Sequence, residues 1–191
     1  MGEVARAQRA EIRSALEEMS KGGPDHLCNY CESRIGDQCH IEHLTPRSKN
    51  GKLTYSWANL FLSCNSTQHC GHYKDRAGNR GYTPADLIHP DLEDPDDFLQ
   101  FSSDGKVHPR DDVSADAQRR AKETIKVLNL NCKKLVGARQ NAVRSLRQQS
   151  LDDLDELEKW SVEERAEYFG IDSFENYEYP TAMRHFCTSL R

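Results

Sequence analysis

The sequence predicts an α+β, mostly helical fold in which a small metal-stapled unit is flanked by helices. Four cysteines stand at ligand-like spacing within residues 28–70, and patterns of helical period precede and follow this segment. Apolar residues make up only 36% of the chain and charged residues 30%, so its apolar core must be modest. A bound metal ion is what a short segment of this composition needs to fold locally. The length of 191 residues corresponds to one domain with helical additions.

Five segments follow one another along the chain. They are an N-terminal helix (1–23), a Cys/His-rich core (24–80), an extended linker with turns (81–113), a basic helical segment (114–150) and an acidic helical tail (151–191). Ser114 is the predicted N-cap of the basic segment, which residues 130–132 are predicted to interrupt. In the linker, residues 98–101 are expected to pack back onto the core. In the tail, Asp172 or Ser173 is expected to cap a late helix.

Charge is segregated along the chain. The net charge of −5 argues against a freestanding high-affinity nucleic-acid binder, which is usually basic. Residues 117–146 nevertheless hold eight Lys or Arg against one acid, and residues 151–178 hold eleven acids against two bases. The basic helix is open to two interpretations, a surface that tracks phosphates or a solvated or partner-facing one. The acidic tail is interpreted as a solvated face, a partner-docking element or a cover for the basic helix.

The chain carries no membrane signal. No apolar run is long enough to cross a bilayer, and the N-terminus has no apolar segment of the kind that directs export. We therefore expect a cytoplasmic protein without a membrane partner. The seven cysteines, four of them at ligand-like spacing, favour metal binding over disulfides in such a reducing compartment.

Two cysteine pairs predict a structural zinc site. Cys28 and Cys31 have the C-x2-C spacing of a zinc knuckle, in which two thiolates of one tight turn reach the same ion. Cys64 and Cys70, with five residues between them, form a looser second pair. The competing interpretation is that these cysteines are buried as small apolar side chains. Their polar surroundings of Gly, His and Asn favour zinc.

Between and beside the pairs stand the groups that phosphodiester hydrolysis requires, a base and ligands for a divalent cation. His43 is the candidate base because imidazole titrates near neutral pH. Glu42 and His72 are candidate ligands of Mg²⁺ or Mn²⁺, provided that a dihedral break at the dipeptide or a bulged strand turns Glu42 and His43 into one cleft. His69 competes with His72 for this position. Asn59 is suited to fix a loop backbone, to cap a helix or to coordinate through its oxygen.

Several motifs of the core together resemble the HNH nuclease family. They are Cys28-Asn29-Tyr30-Cys31-Glu32, Ile41-Glu42-His43-Leu44-Thr45-Pro46-Arg47-Ser48-Lys49, Trp57-Ala58-Asn59-Leu60, Ser63-Cys64 and Cys70-Gly71-His72-Tyr73-Lys74-Asp75. Within that family the chain is similar to the PtuB subunits of Septu anti-phage defence systems and to their retron-associated relatives. The likeness covers roughly residues 24–148 and leaves the acidic tail outside.

The resemblance implies a fold and a set of roles. It implies a ββα-metal finger with a four-cysteine zinc site, and metal-dependent cleavage of DNA that leaves 5′-phosphate and 3′-hydroxyl ends. His43 would be the general base and Asn59 the middle Asn of the HNH pattern. Glu42 and His72 would bind the catalytic ion, Mg²⁺ or Mn²⁺. The chain departs from the pattern at Gly71, a position that often holds Asn or His in such motifs.

The resemblance also implies a partner. It would be a PtuA-like ATPase of the ABC/SMC type, which would form a hetero-oligomer with this protein and gate a nuclease that is weak alone. Two other functions stay open: a zinc-stabilised adaptor with little activity of its own, and a solitary restriction or mobile-element HNH nuclease. Lys74 is likewise open to two interpretations, a phosphate contact or a solvated side chain.

Overall fold

The structure, a computed structural model, describes residues 3–20, 26–37, 39–79, 81–150 and 153–189. In chain order its helices and strands are α1 (Glu3–Glu18), β1 (Cys39–His43), β2 (Leu60–Cys64), α2 (Cys70–Lys74), β3 (Leu99–Phe101), β4 (Val107–Pro109), α3 (Ala115–Leu128), α4 (Lys133–Ser150), α5 (Leu154–Leu157), α6 (Val162–Phe169) and α7 (Pro180–Thr188). The α+β, mostly helical fold class is confirmed. Within these ranges no helix is both long and apolar enough to span a membrane.

A ββα unit lies at the centre of the core. β1 and β2 pair antiparallel, with Cys39 opposite Cys64 and His43 opposite Leu60, and α2 follows after a short loop. All five residues of β2 are buried, as a short continuous apolar run predicts. Both α1 and α2 contact this strand. From α1, Arg13 donates a hydrogen bond to the Cys39 carbonyl oxygen at 2.8 Å and so ties the helix to β1.

Residues 81–113 do not form the extended linker that the sequence predicts. β3 and β4 make an antiparallel hairpin that turns at Gly105, where φ is +79°. A Cβ there would stand 2.3 Å from the Val136 carbonyl oxygen, so the turn lies tightly on α4. Leu99 and Val107 are buried in the main core, which confirms that this stretch packs back. The linker prediction failed because three-residue strands are too short to show a two-residue period.

The basic segment forms two helices, as predicted. The Ser114 hydroxyl accepts a hydrogen bond from the Ala117 amide at 3.2 Å and caps α3. The helix ends at Asn129, whose left-handed φ of 51° redirects the chain toward α4. Between α3 and α4, the Asn131 side chain accepts a hydrogen bond from the Val107 amide at 2.9 Å and donates one to the Val107 carbonyl at 2.8 Å. The interruption therefore also anchors the hairpin.

The C-terminal helices cover α4 through apolar contacts. Val143 and Leu146 of α4 pack with Phe174, Met183 and Phe186. In the part of the tail that the structure describes, no acid pairs with a cation of α3 or α4. Three cations of α3, Arg119, Arg120 and Lys126, pair instead with acids of α3 and of the segment before it. The tail is thus a cover for the basic segment, but one that is held by apolar packing.

The late helix cap predicted at Asp172 or Ser173 is wrong. Both residues lie inside a 3-10 turn, Ile171–Asn176, that follows α6. The cap that the tail does contain is Ser161, whose hydroxyl accepts from the Glu164 amide while the Glu164 carboxylate accepts from the Ser161 amide. This reciprocal pair begins α6.

Candidate zinc site and catalytic pocket

The four predicted zinc ligands converge. Cys28, Cys31, Cys64 and Cys70 are buried, and one sulfur from each lies within 4.8 Å of the other three. Within the described ranges, they are the one set of three or more Cys, His, Asp or Glu donors with that spacing. The sulfurs of Cys28 and Cys70 are 3.8 Å apart, and two thiolates on a tetrahedral zinc ion stand ~3.8 Å apart. The cluster fits a structural zinc ion.

Backbone geometry shapes this cluster from both sides. In the knuckle, the Glu32 amide donates to the Cys28 carbonyl at 2.9 Å, and Glu32 takes a left-handed φ of 61°. Cys70 has a left-handed φ of 60° where the chain turns into α2. The Cys64 amide donates to the Cys28 sulfur at 3.4 Å. Hydrogen bonds from the neighbouring thiols lower the pKa of Cys64, and the thiolate is the form that binds zinc.

The structure separates His69 from His72. His69 is 3% exposed, and its Nδ1 lies 3.2 Å from the Cys70 sulfur, so it belongs to the cysteine cluster. His72 is exposed on α2, and its ring stacks on His40 with centroids 4.1 Å apart. An open cavity of about 310 Å³ is lined by His72 together with Glu42 and others. Of the two histidines, His72 is the one beside the predicted catalytic residues.

Glu42 faces α2 because β1 is a regular strand without a bulge. Its Oε2 lies 2.9 Å from His40 Nε2, and its Oε1 lies 2.7 Å from Lys74 Nζ. Burial alone would raise the pKa of Glu42, but the hydrogen bond from His40 and the charge of Lys74 outweigh it. The pKa therefore lies below its ordinary value, and Glu42 is a carboxylate.

Lys74 is not the solvated lysine considered from the sequence. It is fully buried, and its ammonium group also contacts Asp75 Oδ1 at 2.5 Å, the His43 carbonyl at 3.0 Å and the Tyr82 hydroxyl at 3.1 Å. Burial alone would lower the pKa of Lys74, but the charges of Glu42 and Asp75 outweigh it and raise the pKa. Its burial leaves it no direct route to a phosphate; it fixes Glu42 from behind.

His43 lies at the end of β1 and borders two cavities. One is the cavity that Glu42 and His72 line, and the other is a cavity of about 290 Å³ that contains Arg9 of α1. His43 Nε2 lies 3.0 Å from the Thr54 carbonyl oxygen. A carbonyl can only accept, so Nε2 carries the proton and Nδ1 keeps its lone pair. Among the described residues no side chain or backbone group is hydrogen-bonded to that Nδ1.

Asn59 holds the loop that supports His43. It is 5% exposed, and its Oδ1 accepts from the Thr45 amide at 2.7 Å. Its Nδ2 donates to the carbonyls of Thr45 at 3.1 Å and Leu53 at 3.0 Å. Leu53 precedes Thr54, the residue that orients the histidine. Of the roles considered from the sequence, fixing a loop backbone is the one that these hydrogen bonds describe.

Sequence reasoning missed His40 and misjudged Lys74. A period-two signal was available for His40, because residues i and i+2 of a strand share a face and Glu42 was already a candidate. No such signal existed for the space above Gly71. A Cβ there would stand 2.2 Å from Glu42 Oε2 and 2.9 Å from His40 Nε2.

Residues 28–71 match the model of the HNH endonuclease family. The match spans the knuckle, both strands of the ββα unit and the first residues of α2, so this part of the chain is an HNH domain. It stops short of His72 and Lys74. No curated protein matches the chain.

Proposed function

We propose that the protein is a metal-dependent HNH endonuclease that hydrolyses phosphodiester bonds of DNA and leaves 5′-phosphate and 3′-hydroxyl ends. One observation carries the proposal. His43, with Nε2 fixed by the Thr54 carbonyl, borders the same open cavity as Glu42 and His72. A base with an available lone pair and two ligand-type side chains therefore share a solvent-accessible space. The HNH match to residues 28–71 supports a nuclease in general.

Each residue has a task in this scheme. His43 Nδ1 accepts a proton from the attacking water, and its Nε2–H stays on Thr54. Glu42 and His72 would hold Mg²⁺ or Mn²⁺, which when bound supplies positive charge next to the phosphate oxygens. Asn59 keeps the supporting loop in place. The carboxylate state of Glu42 and the exposure of His72 fit this ion; in the present geometry His72 must turn to complete the ligand set.

The free cations near the cavity support a nucleic-acid substrate. Exposed Arg47 lines both cavities beside His43, and exposed Arg9 lines one of them. Within the described chain neither side chain has an ion pair or hydrogen bond. By contrast, Arg119 and Arg120 of the basic helix pair with acids. The phosphate-binding face is therefore proposed around Arg47 rather than along α3.

We further propose that the protein acts in the cytoplasm as the nuclease of an anti-phage complex with a PtuA-like ATPase. The likeness of residues 24–148 to PtuB subunits supports this, as does an acidic tail whose charge is unused by the basic helices. Expression of the native operon, purification of this protein and measurement of the mass of what co-purifies test the pairing with the ATPase. A protein that is monomeric and unaccompanied would contradict it.

One observation favours the adaptor as a second candidate. Both oxygens of Glu42 already face protein cations or donors, Lys74 and His40. Under this alternative the zinc site stabilises a docking module and the pocket is inert.

Incubation with supercoiled plasmid and Mg²⁺ or Mn²⁺ separates the two candidates. The nuclease proposal expects nicked and linear products whose nicks DNA ligase seals. Intact plasmid with both ions, for the protein alone and for its co-purified complex, would support the adaptor instead.

A further inference from the structure

The cavity side of α2 lacks a side chain at its second residue. At Gly71 a Cβ would lie 2.2 Å from Glu42 Oε2, 2.6 Å from Glu42 Cδ and 2.9 Å from His40 Nε2. These distances are far below van der Waals contact, so any other residue would have to displace both strand side chains. α2 can therefore offer no ligand from this position, and the space is occupied from β1 instead.

His40 is oriented as a metal-binding histidine is. Its Nδ1 lies 3.2 Å from Asn65 Oδ1, an acceptor atom, so this nitrogen can donate its proton there. Its Nε2 donates to Glu42 Oε2 at 2.9 Å, and an ion between the two atoms would replace that proton and receive the Nε2 lone pair. Metal-bound histidines commonly donate their other N–H to an oxygen in this way. Adjacent ligands on a six-coordinate ion with bonds of about 2.1 Å stand roughly 3.0 Å apart, which matches the separation of Nε2 and Oε2.

The charges around this pair bear on which ion fits. Lys74, fully buried, contacts both Glu42 Oε1 and Asp75 Oδ1, so it offsets part of the charge that the Glu42 carboxylate offers to a hard cation. His72 stacks on His40 with ring planes 18° apart and is exposed, so a side-chain rotation can bring a second imidazole to the ion. Two imidazoles beside one carboxylate suit Mn²⁺ and later transition ions better than Mg²⁺, which prefers a shell of oxygen ligands.

We propose that His40 and Glu42 are the primary ligands of the catalytic ion, with His40 replacing the side chain that Gly71 cannot supply. The site consequently selects Mn²⁺ over Mg²⁺. This inference rests on the proposed nuclease function, and its test reads ion binding directly.

Mn²⁺ binding to the zinc-loaded protein is measured by electron paramagnetic resonance of the free ion, with Mg²⁺ as competitor. The wild type is expected to bind one Mn²⁺ outside the zinc site and to require about tenfold or more Mg²⁺ to release it. His40→Ala is expected to raise the Kd for Mn²⁺ by roughly 10- to 100-fold. His108→Ala, an exposed histidine of β4, is the matched control and should bind as the wild type does.

Two further variants guard against misfolding. His40→Gln keeps an amide that can donate to Glu42, so it should retain zinc and fold while losing Mn²⁺ affinity. Gly71→Ala should weaken Mn²⁺ binding by displacing both ligands, whereas Gly78→Ala should not, because nothing lies within 4 Å of its added Cβ.

Unchanged Mn²⁺ affinity in folded His40→Ala or His40→Gln, or no Mn²⁺ binding by the wild type, would overturn the assignment. The nuclease proposal fails separately. A protein that binds Mn²⁺ through His40 but leaves DNA intact would refute that proposal and leave the ligand assignment standing. DNA cleavage together with unchanged Mn²⁺ affinity in both His40 variants would support the nuclease proposal and refute the ligand assignment.

Discussion

At the scale of single residues, the pocket depends on a buried ion pair between Lys74 and Glu42. Neither charge could be buried without the other. Lys74 is fully buried and Glu42 is 4% exposed, with 2.7 Å between Nζ and Oε1. Each charge compensates the desolvation of the other. The pair holds the carboxylate in position for His40 and for an ion.

Replacing Lys74 by Met is expected to destabilise the protein by about 3–5 kcal/mol, because it leaves the Glu42 carboxylate buried without a cation. Urea unfolding of the zinc-loaded protein measures this change. Lys106→Met is the matched control: Lys106 pairs with Asp104 at the surface, and its loss should cost about 0–1 kcal/mol. Equal losses for the two variants would contradict the account.

The sequence pointed to the cysteines and to His43 as candidates because their signal is local in the chain. Ligand spacing in a C-x2-C turn and a Glu-His-x-x-Pro motif can be recognised without knowing the fold. The role of Lys74 could not, because it follows from burial between β1 and Tyr82. The meaning of Gly71 likewise depends on which strand side chains cross above it.

At the scale of elements, four of the eight cations in residues 117–146 have partners within the protein itself: Arg119, Arg120, Lys126 and Arg139. Arg119 of α3 pairs with Asp86 at 2.8 Å and with Asp116 at 2.9 Å. Arg139 of α4 is buried and donates to the Leu130 carbonyl at 2.8 Å. The charge count of this segment alone therefore overstates its capacity for phosphates.

Arg47→Ala is expected to weaken DNA binding and to lower the slope of log K against log salt by about 1, because one phosphate contact is lost. Arg119→Ala, also exposed but paired, should leave the slope unchanged. Fluorescence anisotropy over a salt series measures both. If Arg119→Ala reduces the slope and Arg47→Ala leaves it unchanged, the nucleic-acid face lies on α3 instead.

The start of α7, the last helix of the acidic tail, is hydrogen-bonded to Glu32 of the zinc knuckle. The Glu32 carbonyl accepts from the Tyr179 amide at 3.0 Å. Its carboxylate accepts from the Thr181 amide at 3.1 Å and from the Thr181 hydroxyl at 2.5 Å. No motif predicts such contacts, since the partners are 149 residues apart in sequence.

Glu32→Ala is expected to cost about 1–3 kcal/mol, because buried donors at the start of α7 lose their acceptor. Limited proteolysis should then cut residues 153–189 faster while zinc content stays at the wild-type level. Glu123→Ala, which removes only a surface pair with Lys126, serves as the control. Tail cleavage at the wild-type rate in Glu32→Ala would show that the knuckle does not hold the tail.

At the scale of the whole molecule, the zinc site connects the HNH domain to both ends of the described chain. Leu16 of α1 and Ala182 of α7 belong to the same apolar cluster as the four cysteines. The fold class predicted from the sequence is confirmed, whereas the extended linker predicted for residues 81–113 is a hairpin that packs on the core. How the segments assemble is set by long-range packing, which local patterns do not encode.

Zinc removal by a chelator is therefore expected to loosen the tail as well as the core. Binding free energy of a structural zinc ion is also folding free energy. In the wild type, chelation should lower the melting temperature and accelerate cleavage within residues 153–189. An unchanged melting temperature and an uncleaved tail after the loss of zinc would contradict this coupling.

The central claim is that His43 is the base of a metal-dependent nuclease, and plasmid cleavage by His43→Ala tests it most directly. The variant, the wild type and the His108→Ala control are compared at matched zinc content with Mg²⁺ and with Mn²⁺. We predict that His43→Ala lowers the cleavage rate by about 100-fold or more and that His108→Ala leaves it unchanged. Cleavage by folded His43→Ala at the wild-type rate would contradict the account.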